Sequence, residues 1–275
     1  MKTNINKTLN QADKNFRHGA LASELKKQCE RNLDYDLSAL TSKLQALYRD
    51  TISLIALYGS CLRTNKFTDS VLDFYIVVNN YKDAYNSTFY PVFNRILAPN
   101  VFYIETTSGS DTFRAKYAVI SEADFYRGIH EWFHSYIWAR FAQPVRLIYA
   151  RDKQAKSLFY TCVSHAVVRY LNETAPTLGN SKVTTEQLWT NALMLSYASE
   201  LRPEPEGRSN KIVKESLDDL DKVTVAALPA LDSIHSIHDS AEYELSFNDS
   251  VSKQYQRYWQ IRRWQGKLLS ILRLV

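Results

Sequence analysis

The sequence predicts an α+β protein, in which strands and helices alternate over the first 150 residues and helices dominate the remainder. Three observations predict this class. Segments rich in β-branched and aromatic residues, typical of strands, occur at 51–58, 71–78, 101–106, 113–121 and 145–150. Apolar residues at three- and four-residue spacing, typical of amphipathic helices, lie between and after these segments. Beyond Arg151 the strand-like segments nearly disappear.

Helical periodicity predicts the other elements in order. The expected helices are one or two within 20–50, then 82–97, 122–142, 153–173, 185–199 and further helices from 211 onward. Pro176 and Gly179 interrupt the pattern, as does the loop "RPEPEGRSN". These elements predict a domain at 1–150 with N-terminal helices, a smaller helical domain at 151–250, and a C-terminal helix at 251–275.

Composition limits the partners of the protein. The chain has 275 residues and a formal net charge of +5, with a sequence pI near 8.9. This basic balance suits an anionic partner such as a nucleotide, a nucleic acid or an acidic lipid. Three cysteines without paired spacing argue against a disulfide framework or a zinc cluster. No apolar run reaches the roughly 18–20 residues of a membrane-spanning helix.

The C-terminal segment "SKQYQRYWQIRRWQGKLLSILRLV" is basic and amphipathic. Its apolar side chains predict one helical face and its basic side chains another, as in a helix that lies on an anionic membrane surface. The alternative is a terminal helix that packs on its own core and exposes a basic face. The predicted membrane contacts are Arg257, Arg262, Arg263, Trp264 and Lys267.

The stretch "LIALYGSCLRTNKFTDSVLDFYIVV" carries the most chemical information. A Gly59-Ser60 turn allows backbone N–H groups to approach phosphate oxygens, because glycine has no Cβ. Asp73 near the start of the following strand could hold Mg²⁺ against the same phosphates. This is the logic of nucleotidyl transfer. The alternative is a β-turn followed by an edge-strand aspartate that caps a loop.

The spacing of these residues resembles the polymerase-β type of nucleotidyltransferase, with one departure. Such enzymes usually carry a second acid two residues after the first, on the same strand face. Here Tyr75 occupies that position. Either another residue completes the metal site, with Glu105 on a neighbouring strand as the candidate, or the domain binds nucleotide without catalysis.

Further segments narrow the resemblance. With "LYGSC…SVLDFYIVV", the motifs "RAKYAVIS", "YIWARFAQPV" and "LSYASELR…EGRSNKIV" follow in order. Together they resemble the mitochondrial-type phosphatidate cytidylyltransferases, the translocator-assembly-and-maintenance family, with bacterial relatives. The resemblance implies an Mg²⁺-dependent enzyme that converts CTP and phosphatidic acid to CDP-diacylglycerol and pyrophosphate. It also implies a polymerase-β-type domain, a helical winged-helix-like domain and a membrane-associating C-terminal helix. In that family the position of Tyr75 is also non-acidic, so the missing second acid would be a family trait.

The resemblance also implies roles for single residues. Asp73 and Lys116 would be catalytic, and Asp73 would be a metal ligand. Glu105 is the candidate second metal ligand because of its predicted place on a neighbouring strand, and not because of the resemblance. The implied nucleotide or phosphate contacts are Tyr58, Gly59, Ser60, Lys116, Tyr117, Arg140, Tyr197, Glu200, Arg202 and Lys211. A lysine at 116 would meet the triphosphate as a point charge.

We therefore expect a peripheral membrane enzyme that binds CTP, phosphatidic acid and an anionic membrane surface, and no nucleic acid. Its expected location is the cytoplasmic face of the inner membrane in a bacterium, or the matrix side of the mitochondrial inner membrane in a eukaryote. Two alternatives stay open. One is a nucleotidyltransferase that acts on a soluble acceptor, and the other is a non-catalytic nucleotide- or lipid-binding adaptor.

Overall fold

A computed structural model of the chain describes residues 19–68, 70–85, 98–200 and 207–272. The described residues form two compact units. The first consists of 26–128 and 143–162, and the second of 19–25, 129–142 and the described residues after 162. The polypeptide thus passes between the units more than once, whereas the sequence suggested a single boundary near residue 150.

A five-stranded mixed sheet forms the centre of the first unit. Its strands are β1 (Ile52–Tyr58), β2 (Val71–Val78), β3 (Asn100–Ser108), β4 (Asp111–Ser121) and β5 (Val145–Ala150). They are arranged in the order β3-β4-β2-β1-β5. β2 and β4 run parallel, and the other neighbouring pairs are antiparallel. All five strands predicted from the sequence are confirmed.

Burial along the strands follows their place in the sheet. Residues 52–57 of β1 are all buried, as expected for a central strand with both faces covered. β2 is equally apolar from Phe74 onward, and Asp73 is half-buried within it. The edge strand β3 mostly alternates between exposed and more buried positions, with Val101, Tyr103 and Glu105 exposed. The sheet therefore has one region, along β3 and β4, that is open to solvent.

Helices precede, connect and follow the strands of this sheet along the chain. They are α1 (Ala20–Cys29), α2 (Ser38–Tyr48), α3 (Cys61–Thr64), α4 (Tyr81–Ala84), α5 (Glu122–His130), α6 (Trp138–Phe141) and α7 (Lys153–Thr174). The Asp36 carboxylate accepts a hydrogen bond from the Ser38 N–H at 2.8 Å, which helps to start α2. Leu40, Leu44 and Tyr48 of α2 are buried. α4 matches the start of the helix predicted at 82–97, and residues 86–97 lie outside the described residues.

The single helix predicted over 122–142 is wrong. α5 ends at His130, and residues 131–137 are not helical. Two arginines from distant parts of the sequence donate hydrogen bonds to backbone carbonyls at the end of α5 and in the segment after it. In a continuous helix, the N–H groups of the next turn would bind these carbonyls. Arg169 donates to the carbonyls of Ile129 at 2.5 Å and Trp132 at 2.7 Å. Arg262 donates to the Phe133 carbonyl at 2.8 Å. These hydrogen bonds satisfy backbone acceptors that an α-helix would otherwise pair internally.

The second unit contains a small antiparallel sheet and several helices. Its strands β6 (Ser181–Thr184), β7 (Ile234–Ser236) and β8 (Glu242–Leu245) are arranged in the order β6-β8-β7. The helices α8 (Thr185–Tyr197), α9 (Arg208–Glu215) and α10 (Leu217–Ala227) come between β6 and β7. Thr184 and Gln187 form a capping box at the start of α8, near the helix start predicted there. β7 and β8 lie in the segment whose pattern was too weak to predict strands.

A long C-terminal helix, α11 (Asp249–Leu272), completes the second unit. It packs through a stripe that contains Ser252, Trp259 and Arg262, all of them buried. The Trp259 indole donates to the Glu173 carbonyl at 2.7 Å. Gly266 lies against the Ser199 carbonyl oxygen, so closely that a Cβ at this position would overlap it. The helix is thus held along most of its length by specific contacts within this unit.

Candidate active site

The turn after β1 depends on a glycine. Gly59 has a φ of +99°, in the region that side chains disfavour. A Cβ at this position would lie 2.8 Å from Oδ2 of Asp73. Both the backbone conformation and the close approach of the carboxylate therefore exclude a larger residue. The predicted Gly-Ser turn and the predicted metal-binding aspartate are in direct contact.

Strand pairing brings Asp73 and Lys116 side by side. In the parallel β2–β4 pair, Asp73 lies opposite Lys116. In the antiparallel β1–β2 pair, on the other side of β2, Asp73 lies opposite Tyr58. Because side chains of directly paired residues extend from the same face of a sheet, the three side chains share one face. Asp73 is half-buried and Lys116 is exposed. An acidic and a basic residue are thus paired across neighbouring strands where the sheet opens to solvent.

Cys61, at the start of α3, is buried within the electrostatic influence of Asp73, and its thiol donates to the Tyr58 carbonyl at 3.7 Å. The pKa of the Cys61 thiol is raised to about 12, mainly by burial and in smaller part by the negative charge of Asp73. The thiol therefore stays neutral at physiological pH. Ser60 precedes it, and its carbonyl accepts the backbone N–H groups of Arg63 and Thr64 at 3.0 Å. Ser60 thus lies in the turn between β1 and α3.

Tyr75 occupies the position where the polymerase-β-type pattern, which the sequence resembles, has a second acid. It is completely buried, and its ring centre lies 5.1 Å from that of Tyr58. An ionised carboxylate at this position would lie among apolar and aromatic groups, at a large cost in desolvation. The local packing therefore favours an aromatic side chain over a second acid on this strand.

Glu105 is held away from Asp73. It pairs with Arg114 on β4, and its carboxylate forms a salt bridge to Arg114 Nε at 3.2 Å. Glu105 lies two strands away from Asp73 and two residues along β3 from Tyr103, the residue of β3 that is in register with Asp73. The structure does not bring the two carboxylates together. Across the described parts of the chain, no cluster of three or more His, Cys, Asp or Glu side chains is arranged to hold a metal.

Tyr117 lies on the opposite face of the sheet from Lys116. Its ring stacks on Phe102 with a centroid distance of 5.5 Å and meets the Tyr48 ring edge-on at 6.1 Å. Burial raises the pKa of its phenol. Tyr117 is therefore a core residue beneath α2, and the structure does not place it with Asp73. Its predicted role as a nucleotide contact has no support in this geometry.

A second group of predicted site residues lies in the second unit. Arg140, in the short helix α6, forms a salt bridge through Nη2 to the Glu200 carboxylate at 2.8 Å. Its guanidinium also lies 5.8 Å from the ring centre of Tyr136. Tyr197 is half-buried at the end of α8. Lys211 is exposed and lies 3.9 Å from Glu215, one turn along α9. Arg202 lies outside the described residues.

The predicted membrane contact Arg262 is wrong. Its side chain is only 2% exposed, and it forms a salt bridge to Glu173 at 2.8 Å. The guanidinium lies 4.5 to 5.2 Å from the ring centres of Phe133, Trp259 and Trp138. A cation enclosed by protein aromatic rings cannot reach a membrane surface. The sequence pattern failed because it assumes that charged side chains face outward.

One stripe of apolar side chains on α11 is exposed. Trp264 is 77% exposed, and Ile261, Leu268 and Ile271 are at least half exposed. Arg257 and Arg263 are exposed as well, and Lys267 is half-buried. The helix thus packs by the stripe around Trp259 and presents the apolar stripe to solvent, the reverse of an ordinary core-packed helix. Among the described helices, none is both long enough and apolar enough to span a bilayer.

His130 and His134 stand four residues apart in "HEWFH", a spacing that on a helix would place two possible zinc ligands on one face, but the chain is not helical after His130. His130 is the last residue of α5, so His134 does not lie one turn further along the same helix. The ring of His130 lies 4.1 Å from that of His165. Burial lowers the pKa of His165 to about 4, and the nearby His130 and Arg169 lower it too. His165 is therefore neutral at physiological pH, as expected for a histidine packed in a core.

An exposed tyrosine is in register with Asp73 and Lys116 across three neighbouring strands, and the sequence alone did not single it out. Tyr103 on β3 lies opposite Lys116 and is 55% exposed. The signal was present in the alternation of "VFYIET", since residues 101, 103 and 105 must share one face. Only the pairing of β3 with β4 shows that this face is the one that carries Asp73.

Comparison with known proteins identifies the family. The family model described as phosphatidate cytidylyltransferase, mitochondrial, matches residues 79–264, a span that contains Lys116, Arg140, Glu200 and Lys211, while Gly59, Ser60 and Asp73 precede it. A search of curated proteins gives no match. Among solved structures, a nucleotidyltransferase-like protein from Exiguobacterium sibiricum 255-15 is 10% identical, with a TM-score of 0.29, over 86% of this chain and 77% of that one. Because the family model matches more than half of the chain, this protein belongs to the mitochondrial phosphatidate cytidylyltransferase family.

Proposed function

We propose that CTP and phosphatidate react on the open sheet face that carries Asp73 and Lys116, and that the products are CDP-diacylglycerol and pyrophosphate. The observation that carries this proposal is the strand register, which puts Asp73 directly opposite Lys116. The adjoining turn at Gly59 has no room for a side chain beside the Asp73 carboxylate. Such a turn suits close approach of phosphate oxygens to backbone N–H groups.

The Asp73 carboxylate fits the role of an Mg²⁺ ligand. Mg²⁺ in phosphoryl-transfer sites takes one or two carboxylates and completes its coordination with substrate phosphates and water. A half-buried carboxylate beside a phosphate-binding turn meets this requirement. When bound, Mg²⁺ neutralises phosphate charge and polarises the phosphorus that is attacked. We leave Glu105 out of the metal site, because Arg114 already binds its carboxylate.

The chain's own residues contribute position and charge. Lys116 provides a cation beside Asp73 for the triphosphate, whose charge shifts toward the departing pyrophosphate during the reaction. Ser60 adds a hydroxyl donor at the turn. The phosphomonoester of phosphatidate is already an anion at neutral pH, so it needs little base catalysis. Holding the two substrates in line therefore accounts for most of the expected rate.

A separate part of this proposal concerns substrate contacts within the second unit. Arg140 is positioned by Glu200, and a guanidinium is suited to bidentate binding of phosphate oxygens. Tyr197, Arg202 and Lys211 belong to the same family motif. Their roles rest on the family resemblance, and we assign them as binding residues rather than catalytic ones.

We further propose that the two units are a polymerase-β-type nucleotidyltransferase domain and a winged-helix-like domain. The second unit supports this through its order, in which helices lie between β6 and a β7–β8 hairpin. Helix α10 carries Asp218, Asp219 and Asp221. A winged-helix surface that binds nucleic acid would be basic, so these acids favour a domain without a nucleic-acid partner.

Membrane attachment through α11 is the remaining part of the proposal. The exposed stripe of Ile261, Trp264, Leu268 and Ile271, flanked by Arg257 and Arg263, suits the interface of an anionic bilayer. Phosphatidate does not leave the bilayer, so this attachment would bring the site to its substrate. Because the matched family is described as mitochondrial, we propose the matrix side of the inner mitochondrial membrane. The bacterial alternative gains no support from the comparisons.

Replacing Trp264 by glutamine should reduce sedimentation with vesicles of phosphatidylcholine and phosphatidate by about tenfold or more. Burying one large apolar side chain is worth roughly 1.5–3 kcal/mol, and each 1.4 kcal/mol is a factor of ten in the partition constant. The matched control is Met194→Gln, since Met194 is 60% exposed in the same unit but outside α11. Equal sedimentation of both variants and the wild type would reject the membrane role of α11.

The function is tested by pyrophosphate release from CTP in the presence of Mg²⁺. Release should require vesicles that contain phosphatidate and should be absent with phosphatidylcholine alone. Release with a soluble acceptor and without lipid would favour the broader nucleotidyltransferase alternative. Binding of CTP without any release would favour the non-catalytic adaptor.

A further inference from the structure

Tyr103 is an exposed aromatic side chain in register with the proposed reaction site. It lies opposite Lys116 in the β3–β4 pair, and Lys116 lies opposite Asp73. The row Asp73–Lys116–Tyr103 therefore crosses three neighbouring strands on one face of the sheet. With strands about 4.8 Å apart, the backbone of Tyr103 lies about 10 Å from that of Asp73.

The Tyr103 side chain is held in place although it is exposed. Its hydroxyl donates to the Glu105 carboxylate at 3.1 Å. That carboxylate also accepts from Arg114 Nε at 3.2 Å, and the Glu105 carbonyl accepts from Lys43 Nζ at 2.7 Å. A ring that is fixed in advance loses less conformational entropy when a ligand packs on it. These contacts are typical of a prepared binding surface.

The position of this ring matches the nucleoside end of CTP better than its phosphates. The cation and the carboxylate of the row suit the triphosphate, which leaves the aromatic member for an uncharged group. In CTP the ribose joins the base to the α-phosphate, so the base falls beyond Lys116 when the β- and γ-phosphates lie toward the Gly59–Ser60 turn, on the other side of Asp73. A pyrimidine has a flat π-face, and stacking of a base on an aromatic side chain is worth about 1–3 kcal/mol.

We propose that Tyr103 is the surface on which the cytosine ring of CTP stacks, and that Glu105 and Arg114 are positioning residues that orient it. The assignment rests on the proposed function in one respect, namely that the phosphates lie along Asp73 and Lys116. It gives Glu105 a role other than metal binding. Because stacking accepts every base, it supplies affinity for the nucleotide and does not itself select cytosine.

The test compares Tyr103→Leu with Tyr103→Phe. Leucine keeps an apolar side chain but removes the π-face, so the Kd for CTP with Mg²⁺, measured by equilibrium dialysis, should rise about tenfold. The KM for CTP should rise similarly, with kcat and the KM for phosphatidate within about twofold of wild type. Phenylalanine keeps the ring and should stay within about threefold of wild type in every constant. Glu105→Gln should raise the KM for CTP less than Tyr103→Leu does.

Val101→Ala is the matched control, because Val101 is 54% exposed on the same strand and the same face but lies one row away, opposite Ala118. It should leave the CTP constants unchanged. An unchanged Kd for CTP in Tyr103→Leu would overturn the proposal. So would a rise in the KM for phosphatidate in both Tyr103→Leu and Val101→Ala, which would make this face a lipid-docking surface.

Failure of the inference and failure of the proposed function give different results. If wild type binds CTP but releases no pyrophosphate with phosphatidate, the proposed function fails, while dialysis still decides the role of Tyr103. If wild type is active and Tyr103→Leu binds CTP normally, only the inference fails. If wild type binds no CTP, both are rejected.

Discussion

Replacing Asp73 by asparagine should reduce phosphatidate-dependent pyrophosphate release by about a thousandfold. Asparagine has nearly the same shape, so it keeps the close fit of Asp73 against Gly59. It removes the negative charge that is proposed to hold Mg²⁺ on the triphosphate. Loss of one preorganised electrostatic contact in a transition state typically costs about 10²–10³ in kcat, or about 3–4 kcal/mol. The measurement is the initial rate of pyrophosphate release with saturating CTP.

The control for this variant is Asp111→Asn. Asp111 is an exposed carboxylate at the start of β4, in the same sheet but outside the Asp73 row. Its removal should leave the rate within about twofold of wild type. Both variants should unfold at the same urea concentration as the wild type, because neither change alters packing. An Asp73→Asn enzyme that keeps more than about a tenth of the wild-type rate would remove Asp73 from the catalytic site.

The strands of this site were predictable, but their neighbours in space were not. Segments rich in β-branched and aromatic residues identified all five strands of the first sheet. The chemistry depends on β2 and β4 lying parallel and adjacent, which places Asp73 beside Lys116. No local pattern encodes this pairing, because β3 lies between the two strands in the sequence. For the same reason the sequence alone does not show that Tyr103 lies opposite Lys116.

The segment after α5 shows why one helix was predicted where the chain has a bend. Its apolar and aromatic residues have a helix-like spacing, but the spacing cannot show where the backbone carbonyls are bound. Arg169 and Arg262 supply those hydrogen bonds from 37 and 129 residues further along the chain. Tertiary contacts of this kind outweigh local propensity, which amounts to only a fraction of a kcal/mol per residue.

The C-terminal helix reverses the usual relation between pattern and packing. Its most apolar stripe is solvent-exposed, and its buried stripe contains an arginine, a serine and a tryptophan. The sequence left open whether the helix is packed on a core or exposed to a membrane. The structure combines the two, since one stripe is anchored to the second unit and another is exposed. The anchored stripe depends on Arg262, which gives the second large prediction.

Replacing Arg262 by methionine should lower the free energy of unfolding by about 3 kcal/mol. The change leaves Glu173 without its closest cation, and removal of one partner from a buried ion pair typically costs about 3–5 kcal/mol. Arg169 lies 4.0 Å from the same carboxylate, which places the expected loss at the lower end of that range. Methionine keeps much of the apolar contact with the surrounding aromatic rings. The measurement is urea unfolding followed by circular dichroism.

The matched control is Arg263→Met, because Arg263 is the next residue of α11 and is exposed. Its unfolding free energy should stay within about 0.5 kcal/mol of wild type, whereas its sedimentation with anionic vesicles should weaken. The double variant Arg262→Met/Glu173→Gln should recover at least about 1 kcal/mol relative to the sum of the single changes, since it leaves no unpaired carboxylate. If Arg262→Met instead weakened vesicle binding and left stability unchanged, Arg262 would be the membrane contact that the sequence pattern predicts, and the buried ion pair would not anchor α11.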